Sequence, residues 1–262
     1  MNRRAFLLLA SGAALTGFDL FSRSETPYLR FAVASDGHYG EPGADFVKDY
    51  QSIVSSINDY HNINPIDFLM VNGDISHDAP DHLHEAKTHL DSLKMPYKVG
   101  MGNHDRMDEI LWNELWGVPF DYSFSMHTDA FIALNTSDLA GTYLCPDYSI
   151  LEKMLDQEQD KRNIFLFMHI NPAAQTRFAV ECDRLLTLIK AHRNVRAVFN
   201  GHDHDHENVI FHQNIPFVFD GHFGGTWGTL DKGYRMVECF EDGRIQTFMM
   251  DPKERKKEEK LS

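Results

Sequence analysis

The sequence predicts an α/β fold, and three observations carry that prediction. Short apolar runs rich in β-branched and aromatic residues alternate with segments whose apolar residues recur at helical spacing. The order strand, helix, strand is that of right-handed βαβ units with a parallel core. Five of the runs, moreover, end in a polar cluster able to bind metal: FAVAS before Asp36 and His38, FLMVN before Asp74, YKVGM before Asn103 and His104, FLFM before His169, and VRAVFN before His202 and His204. Each cluster then sits at the carboxyl end of a strand, where ligands bind in open α/β sheets. Groups spread over about 170 residues thereby converge on one crevice.

The elements follow in chain order. Residues 28–35 read as the first strand, and residues 45–60 as a helix with Phe46, Val47, Ile53, Val54 and Ile57 at helical spacing. Pro65 precedes a strand over 66–71, residues 81–93 form the next helix, and Pro96 precedes a strand over 97–101. Residues 120–135 are two short strands around a polar turn at Thr128 and Asp129, which makes the sheet mixed. Helices over 151–159 and 182–192 lead into the strands that end at His169 and Asn200. Strands near 209–211 and 217–219 follow, then a hairpin over 234–250 turning at Glu241-Asp242-Gly243. No internal repeat is present.

At 262 residues the chain suits one large domain, set here at 25–251. The net charge of −14 argues against a long nucleic acid as partner, since such binding needs Lys and Arg to neutralise many phosphates. Small phosphorylated molecules stay open to it, because two cations in an acidic protein still make one locally positive pocket. Cys145, Cys182 and Cys239 form no CxxC pair; one bridge at most is possible, and buried free thiols are the expectation. Residues 1–24 resemble a twin-arginine secretory signal, with Arg3 and Arg4 in Asn-Arg-Arg-Ala-Phe-Leu before an apolar stretch too short to span a bilayer. Export to the periplasm or beyond, with no stable membrane anchor once the leader is cut, is the expectation. Residues 252–262, mainly KERKKEEK, read as a charged, disordered tail.

The candidate metal set is Asp36, His38, Asp74, Asn103, His169, His202 and His204, seven donors for two ions that share Asp74. Gly37 is expected to supply the backbone turn that lets Asp36 and His38 face one cavity. Oxygen and nitrogen donors without thiolate favour Mn, Fe or Zn over softer metals. Taken together, Asp36-x-His38, Gly73-Asp74, Gly102-Asn103-His104-Asp105, His169 and Gly201-His202-x-His204 resemble, in order, the signature of the calcineurin-like metallophosphoesterases. That resemblance implies a four-layer α/β/β/α sandwich with two mixed β-sheets. It implies one metal on Asp36, His38, Asp74 and His204, and the other on Asp74, Asn103, His169 and His202. It also implies that His104 acts as proton donor or phosphate-binding histidine, oriented by Asp105.

The chemistry so implied is hydrolysis of phosphate esters by water activated between the two ions. Phosphodiesters of small molecules or nucleotides are expected first, with monoesters or nucleotide pyrophosphates as the alternative. A catalytically inactive binding protein on the same fold is the alternative class, disfavoured because no ligand is missing. His77 stands where purple acid phosphatases carry Tyr, so the pattern is closer to bacterial class III phosphodiesterases. His77 is a candidate partner of the ligands, Arg106 a phosphate contact, and His222 and Trp227 pocket lining. His206 is a lesser candidate for the metal cluster. His82, His84 and His89 read as a solvated helix face, and His61, His127, His192 and His212 as surface or ordinary core.

Overall fold

The computed structural model describes residues 26–252 and 254–261, so the leader expected over 1–24 lies outside the described residues. The chain runs β1 (Leu29–Ala34), α1 (Phe46–Ile63), β2 (Phe68–Asn72), α2 (His82–Leu90), β3 (Tyr97–Gly100), α3 (Glu109–Trp116), β4 (Tyr122–Met126), β5 (Asp129–Leu134), α4 (Tyr148–Gln157), β6 (Ile164–Met168), α5 (Leu185–Ala191), β7 (Val195–Asn200), β8 (Val209–His212), β9 (Ile215–Phe219), β10 (Tyr234–Cys239), β11 (Ile245–Met250) and β12 (Arg255–Lys260). Two six-stranded sheets result, ordered β12-β11-β10-β1-β2-β3 and β4-β5-β6-β7-β9-β8. Strands β1, β2 and β3 are parallel in the first sheet, as are β5, β6, β7 and β9 in the second, with antiparallel strands at the margins.

Side-chain alternation along the strands sorts the core into three layers of contact. Phe31, Val33, Phe68 and Met70 of the first sheet meet Phe131, Phe165, Phe167 and Phe199 of the second, so the sheets pack face to face through aromatic rings. Phe31 lies at the centre, its ring 5.2 Å from Phe68, 5.3 Å from Phe131 and 5.1 Å from Phe165. Each such ring contributes about 1.5–3 kcal/mol on burial. The intervening residues Ala32, Ala34, Leu69 and Val71 face the opposite way, against Tyr50 and Ile53 of α1, Leu83 and Ala86 of α2, and Trp112 of α3. In the second sheet Ala130, Ile132 and Leu166 pack on Leu151 and Leu155 of α4 and on Leu185 and Ile189 of α5. The four layers are helix, sheet, sheet, helix, as the resemblance implied.

Four expectations need correction. Helix α3 has no counterpart in the sequence reading: Ile110 and Leu111 are exposed and only Trp112 is fully buried, so no apolar stripe marks it. Its ends are nonetheless well specified, since the Asp108 carboxylate accepts from Ile110 N and Gly117 closes it at φ 73°. The charged tail is not disordered over 255–260, where β12 pairs antiparallel with β11. A strand of Lys and Glu suits a sheet edge, and here the charges also find partners: Glu259 meets the fully buried Arg235 at 3.1 Å, Gln246 donates to Glu258, and Leu261 is buried beyond them. Cys145 and Cys182 form a disulfide across 37 residues, leaving Cys239 as the buried free thiol. Of the three histidines of α2 only His84 is exposed, while the His89 ring packs against Tyr39 and Tyr50 and His82 packs against Tyr39. No helix among the described residues is long and apolar enough to cross a membrane.

Candidate metal centre

Asp36 follows β1, Asp74 follows β2, Asn103 follows β3, His169 follows β6, and His202 and His204 follow β7. Because the two sheets present the same ends of their parallel strands to one another, donors from both meet at one edge. Backbone hydrogen bonds tie these loops together: Asp36 N donates to Gly73 O, His38 N to Asp74 O, and Gly201 N to His169 O, each at 3.0–3.1 Å. Asp36, His38, Asp74 and His202 all hold positive φ, between 45° and 66°. Such conformations are uncommon for residues other than glycine, though Asp and His adopt them more readily than most, and they persist where the surroundings over-determine them, typically at sites of function. Gly37 is needed for space and not for the turn itself: a Cβ there would lie 2.3 Å from the Phe223 ring and 2.5 Å from the Tyr50 hydroxyl.

The donors fall into two groups. Asp36, His38 and His204 bring ligand atoms within 4.8 Å of one another, and so do Asp74, His169 and His202; all six are buried. His38 Nε2 and His204 Nε2 are 3.0 Å apart, and Asp36 Oδ1 lies 3.1 Å from His204 Nε2. Asp74 Oδ2 stands between the groups, 3.2 Å from His169 Nε2 and 3.6 Å from His38 Nε2. Asn103 Oδ1, His169 Nε2 and His202 Nε2 are buried without a hydrogen-bond partner among the described residues. Buried polar atoms are ordinarily satisfied, so the orphaned nitrogens of His169 and His202, grouped with the Asp74 carboxylate, mark a place for a cation, and the orphaned amide oxygen of Asn103 is a donor of the type such a site uses.

The remaining ring nitrogens support the same reading. His169 Nδ1 donates to Asn72 O at 2.8 Å and His204 Nδ1 to Trp227 O at 3.1 Å, which leaves Nε2 of each directed inward. His38 Nδ1 lies 3.0 Å from His77 Nδ1. Fixing one nitrogen of an imidazole so that the other is free is how metal-binding histidines are oriented.

Among the donors themselves, charge is balanced through their protons. Burial opposes ionisation of Asp36 and Asp74, but His204 beside the first and His169 beside the second outweigh it and hold both below the usual carboxylate range. Burial likewise disfavours a charged His169, yet Asp74 and Asp36 push it up to about 10. Burial lowers His38 and His202 to about 4 each. Two divalent ions would take the place of those protons, and the fit of donor type, number and orphaned atoms supports a pair.

Around the donors, some expected partners are in place and others are replaced. His77 is the neighbour of His38, and its ring stacks on His104 at 4.8 Å. Asp105 does not orient His104: its oxygens accept from Ser76 N and Gly102 N, each at 2.8 Å, and burial followed by the Asp74 charge raises it to about 7. The carboxylate that holds His104 is Asp78, with Oδ1 2.8 Å from Nδ1. Arg106 pairs with the same oxygen at 2.9 Å. His222 and Trp227 flank His204, with rings 4.9 and 4.2 Å from it and nearly parallel. His206 pairs instead with Asp205, 2.8 Å away on the outer side of the loop.

Sequence reasoning missed Asp78, Ser35 and Asp220. Ser35 Oγ lies 2.5 Å from Asp36 Oδ2 and 3.1 Å from Asp220 Oδ1, a buried chain behind the first donor group. A signal for Asp220 exists, since FVF before Asp220 repeats the pattern of an apolar run ending in a polar group. Asp78 has none; it reaches His104 only through the fold of the loop after Asp74.

Comparison with known proteins agrees with this geometry. The calcineurin-like phosphoesterase family model matches residues 29–206. No curated protein sequence matches the chain significantly. Among solved structures, a dimetal phosphatase from Danio rerio superposes with a TM-score of 0.72 at 12% identity, covering 90% of this chain and 100% of that one. GAP50, the anchor in the inner membrane complex of Plasmodium, superposes with a TM-score of 0.67 at 17% identity, covering 89% and 88%. At these identities the likeness concerns the fold. The family match spans well over half of the chain and encloses every one of the seven donors, and the chain accordingly belongs to the calcineurin-like phosphoesterases, metal-dependent hydrolases.

Proposed function

We propose that this site hydrolyses phosphodiesters of small molecules or nucleotides in preference to monoesters. The observation that carries the reading is Asp74 Oδ2 poised between two buried donor groups, with His104 beside them. When bound, two cations of the Mn, Fe or Zn type would supply positive charge for phosphate oxygens and lower the pKa of water toward neutrality. The chain's own residues do the rest. His104 is anchored at both ends, its backbone N donating to Asp74 Oδ1 at 2.8 Å and its Nδ1 held by Asp78. Nε2 is thus the nitrogen left to donate a proton to the departing alkoxide, a task worth about 10²- to 10⁴-fold. Stacking on His77 keeps the ring in that plane.

Preference for a diester rests on charge and pattern. A diester carries one negative charge fewer than a monoester dianion, which suits entry to a site in a chain of net charge −14. His77 in the place where the tyrosinate branch has Tyr points the same way. Retention of all seven donors argues against a fold kept only for binding. For location, the Arg3-Arg4 leader supports export, and a disulfide between Cys145 and Cys182 suits an oxidising compartment.

Elemental analysis together with turnover of bis- and mono-p-nitrophenyl phosphate tests the reading. About two cations per chain and a higher kcat/KM for the diester are expected, with Asp74→Ala and His169→Ala each abolishing turnover. Full turnover in both variants would overturn the assignment, and a higher kcat/KM for the monoester would overturn the diester preference.

A further inference from the structure

We infer that one organic substituent of the ester is a planar aromatic group, gripped by an aromatic rim of three loops, two of which are held to each other by the Cys145–Cys182 disulfide. The inference rests on the phosphoesterase reading and narrows its substrate class.

Three rings from three separate loops border the metal centre, two of them on His202 of the second donor group and one on His204 of the first. Tyr143 meets the His202 ring edge-on at 4.7 Å, and Phe178 meets it edge-on at 5.8 Å. Phe178 also stands edge-on to Trp227 at 5.9 Å, and Trp227 lies flat on His204 at 4.2 Å. Trp227 and Tyr143 remain 44% and 37% exposed, and Leu139 and Leu144, on the same loop as Tyr143, are exposed as well. Aromatic surface left to water beside a polar site marks a place for an apolar ligand. Rings set edge-on to one another leave faces on which a flat group can lie; His204 takes one face of Trp227 and the Arg177 guanidinium, 5.2 Å from the ring centre, one face of Phe178.

The rim is built, not incidental. Trp227 is pressed onto His204 by a close loop in which a Cβ at Gly228 would lie 2.4 Å from His204 Cβ, and Thr226 Oγ1 donates to Glu41 at 2.6 Å. Thr176 donates to the buried Asp203 at 2.8 Å, fixing the loop that carries Phe178. Cys145 comes two residues after Tyr143, and Cys182 four residues after Phe178. Their bond therefore joins the Tyr143 loop to the Phe178 loop just behind the rings, where it sets the spacing between them.

The test uses the metal-loaded full chain and esters with similar alkoxide leaving groups: a nucleoside 5′-phosphate, 2-phenylethyl phosphate and ribose 5-phosphate, and the methyl diester of each. Ring-bearing esters are expected to exceed ribose esters by about ten- to a hundredfold in kcat/KM, mostly through KM. Preference for the nucleoside alone identifies a base as the group bound; equal preference for the phenylethyl ester identifies a general aryl site. Phe178→Leu should bring the preference to within about threefold of unity, while Phe178→Tyr should keep it. The double change Cys145→Ser with Cys182→Ser, or reduction of the wild type with a phosphine, should raise KM for ring-bearing esters and leave that for ribose esters unmoved. Equal kcat/KM for ring-bearing and ribose esters in the wild type overturns the rim while hydrolysis itself stands. An unchanged preference after loss of the disulfide overturns its positioning role. No turnover of any ester by a chain holding two cations overturns the phosphoesterase reading instead.

Discussion

His77 and Asp78 follow the Gly73-Asp74 pair in sequence and do two different jobs in space. His77 holds Nδ1 of a ligand histidine, so His77→Ala should weaken cation binding by about 10- to 100-fold, read by titration in a metal buffer. Asp78 holds His104 and Arg106, so Asp78→Asn should lower kcat by about 10- to 100-fold while the metal content stays at that of the wild type. Loss of metal in the Asp78 variant would show that it supports the donors and not the proton donor. Asp220 gives a pH dependence. Burial, aided by the charge of Asp36, pushes its carboxyl up to about 7. In the unfolded chain the same group ionises near pH about 4. Between those values the folded state holds a proton that the unfolded state has released, so this group makes stability fall from about pH 4 to about 7 and level off above. Asp220→Asn, which keeps the shape and an acceptor oxygen for the Ser35 hydroxyl, should remove that slope in chelator-treated protein, as measured by urea midpoints from pH 4 to 8. A slope equal to that of the wild type would mean that Asp220 is ionised throughout.

At the scale of elements, the strands were the legible part and α3 and β12 the illegible ones. The strand runs are buried on both faces and read as continuous apolar segments, with side chains that alternate between the sheet interface and the helices. Helix α3 hides because it buries one Trp and exposes the residues beside it, and its caps are visible only once the helix is granted. Strand β12 hides because a charge run looks the same in water and at a sheet edge until its partners are known. Those partners make it consequential: Arg235 is fully buried, with its guanidinium on Phe219 O, Glu207 O and Glu259. Ending the chain after residue 252 should cost about 1–3 kcal/mol, less than for a fully buried pair because Glu259 is partly exposed. An unchanged denaturation midpoint on truncation would mean that the edge strand adds nothing to the fold.

For the whole molecule, seven donors on five loops are brought together by two sheets, so the cations and the fold are thermodynamically linked. Ions that bind only the folded chain stabilise it by about 2.7 kcal/mol for each site filled at a hundredfold excess over Kd. Thermal melts should therefore show a midpoint that falls on chelation and recovers with added cation, and Asp74→Ala should lose most of that response; a midpoint indifferent to chelator would sever the link. The sequence by itself determined the α/β class and named the candidate donors, six of which the fold brings into two groups, because strand ends and ligand types are local properties written in consecutive residues. Only the tertiary structure decided that Asp78 and not Asp105 holds His104, that Cys145 meets Cys182, that the tail becomes an edge strand, and that Tyr143, Phe178 and Trp227 share one rim. Each of those joins residues far apart along the chain or settles a competition between neighbours, and such pairings are fixed by packing and burial, which no local pattern records.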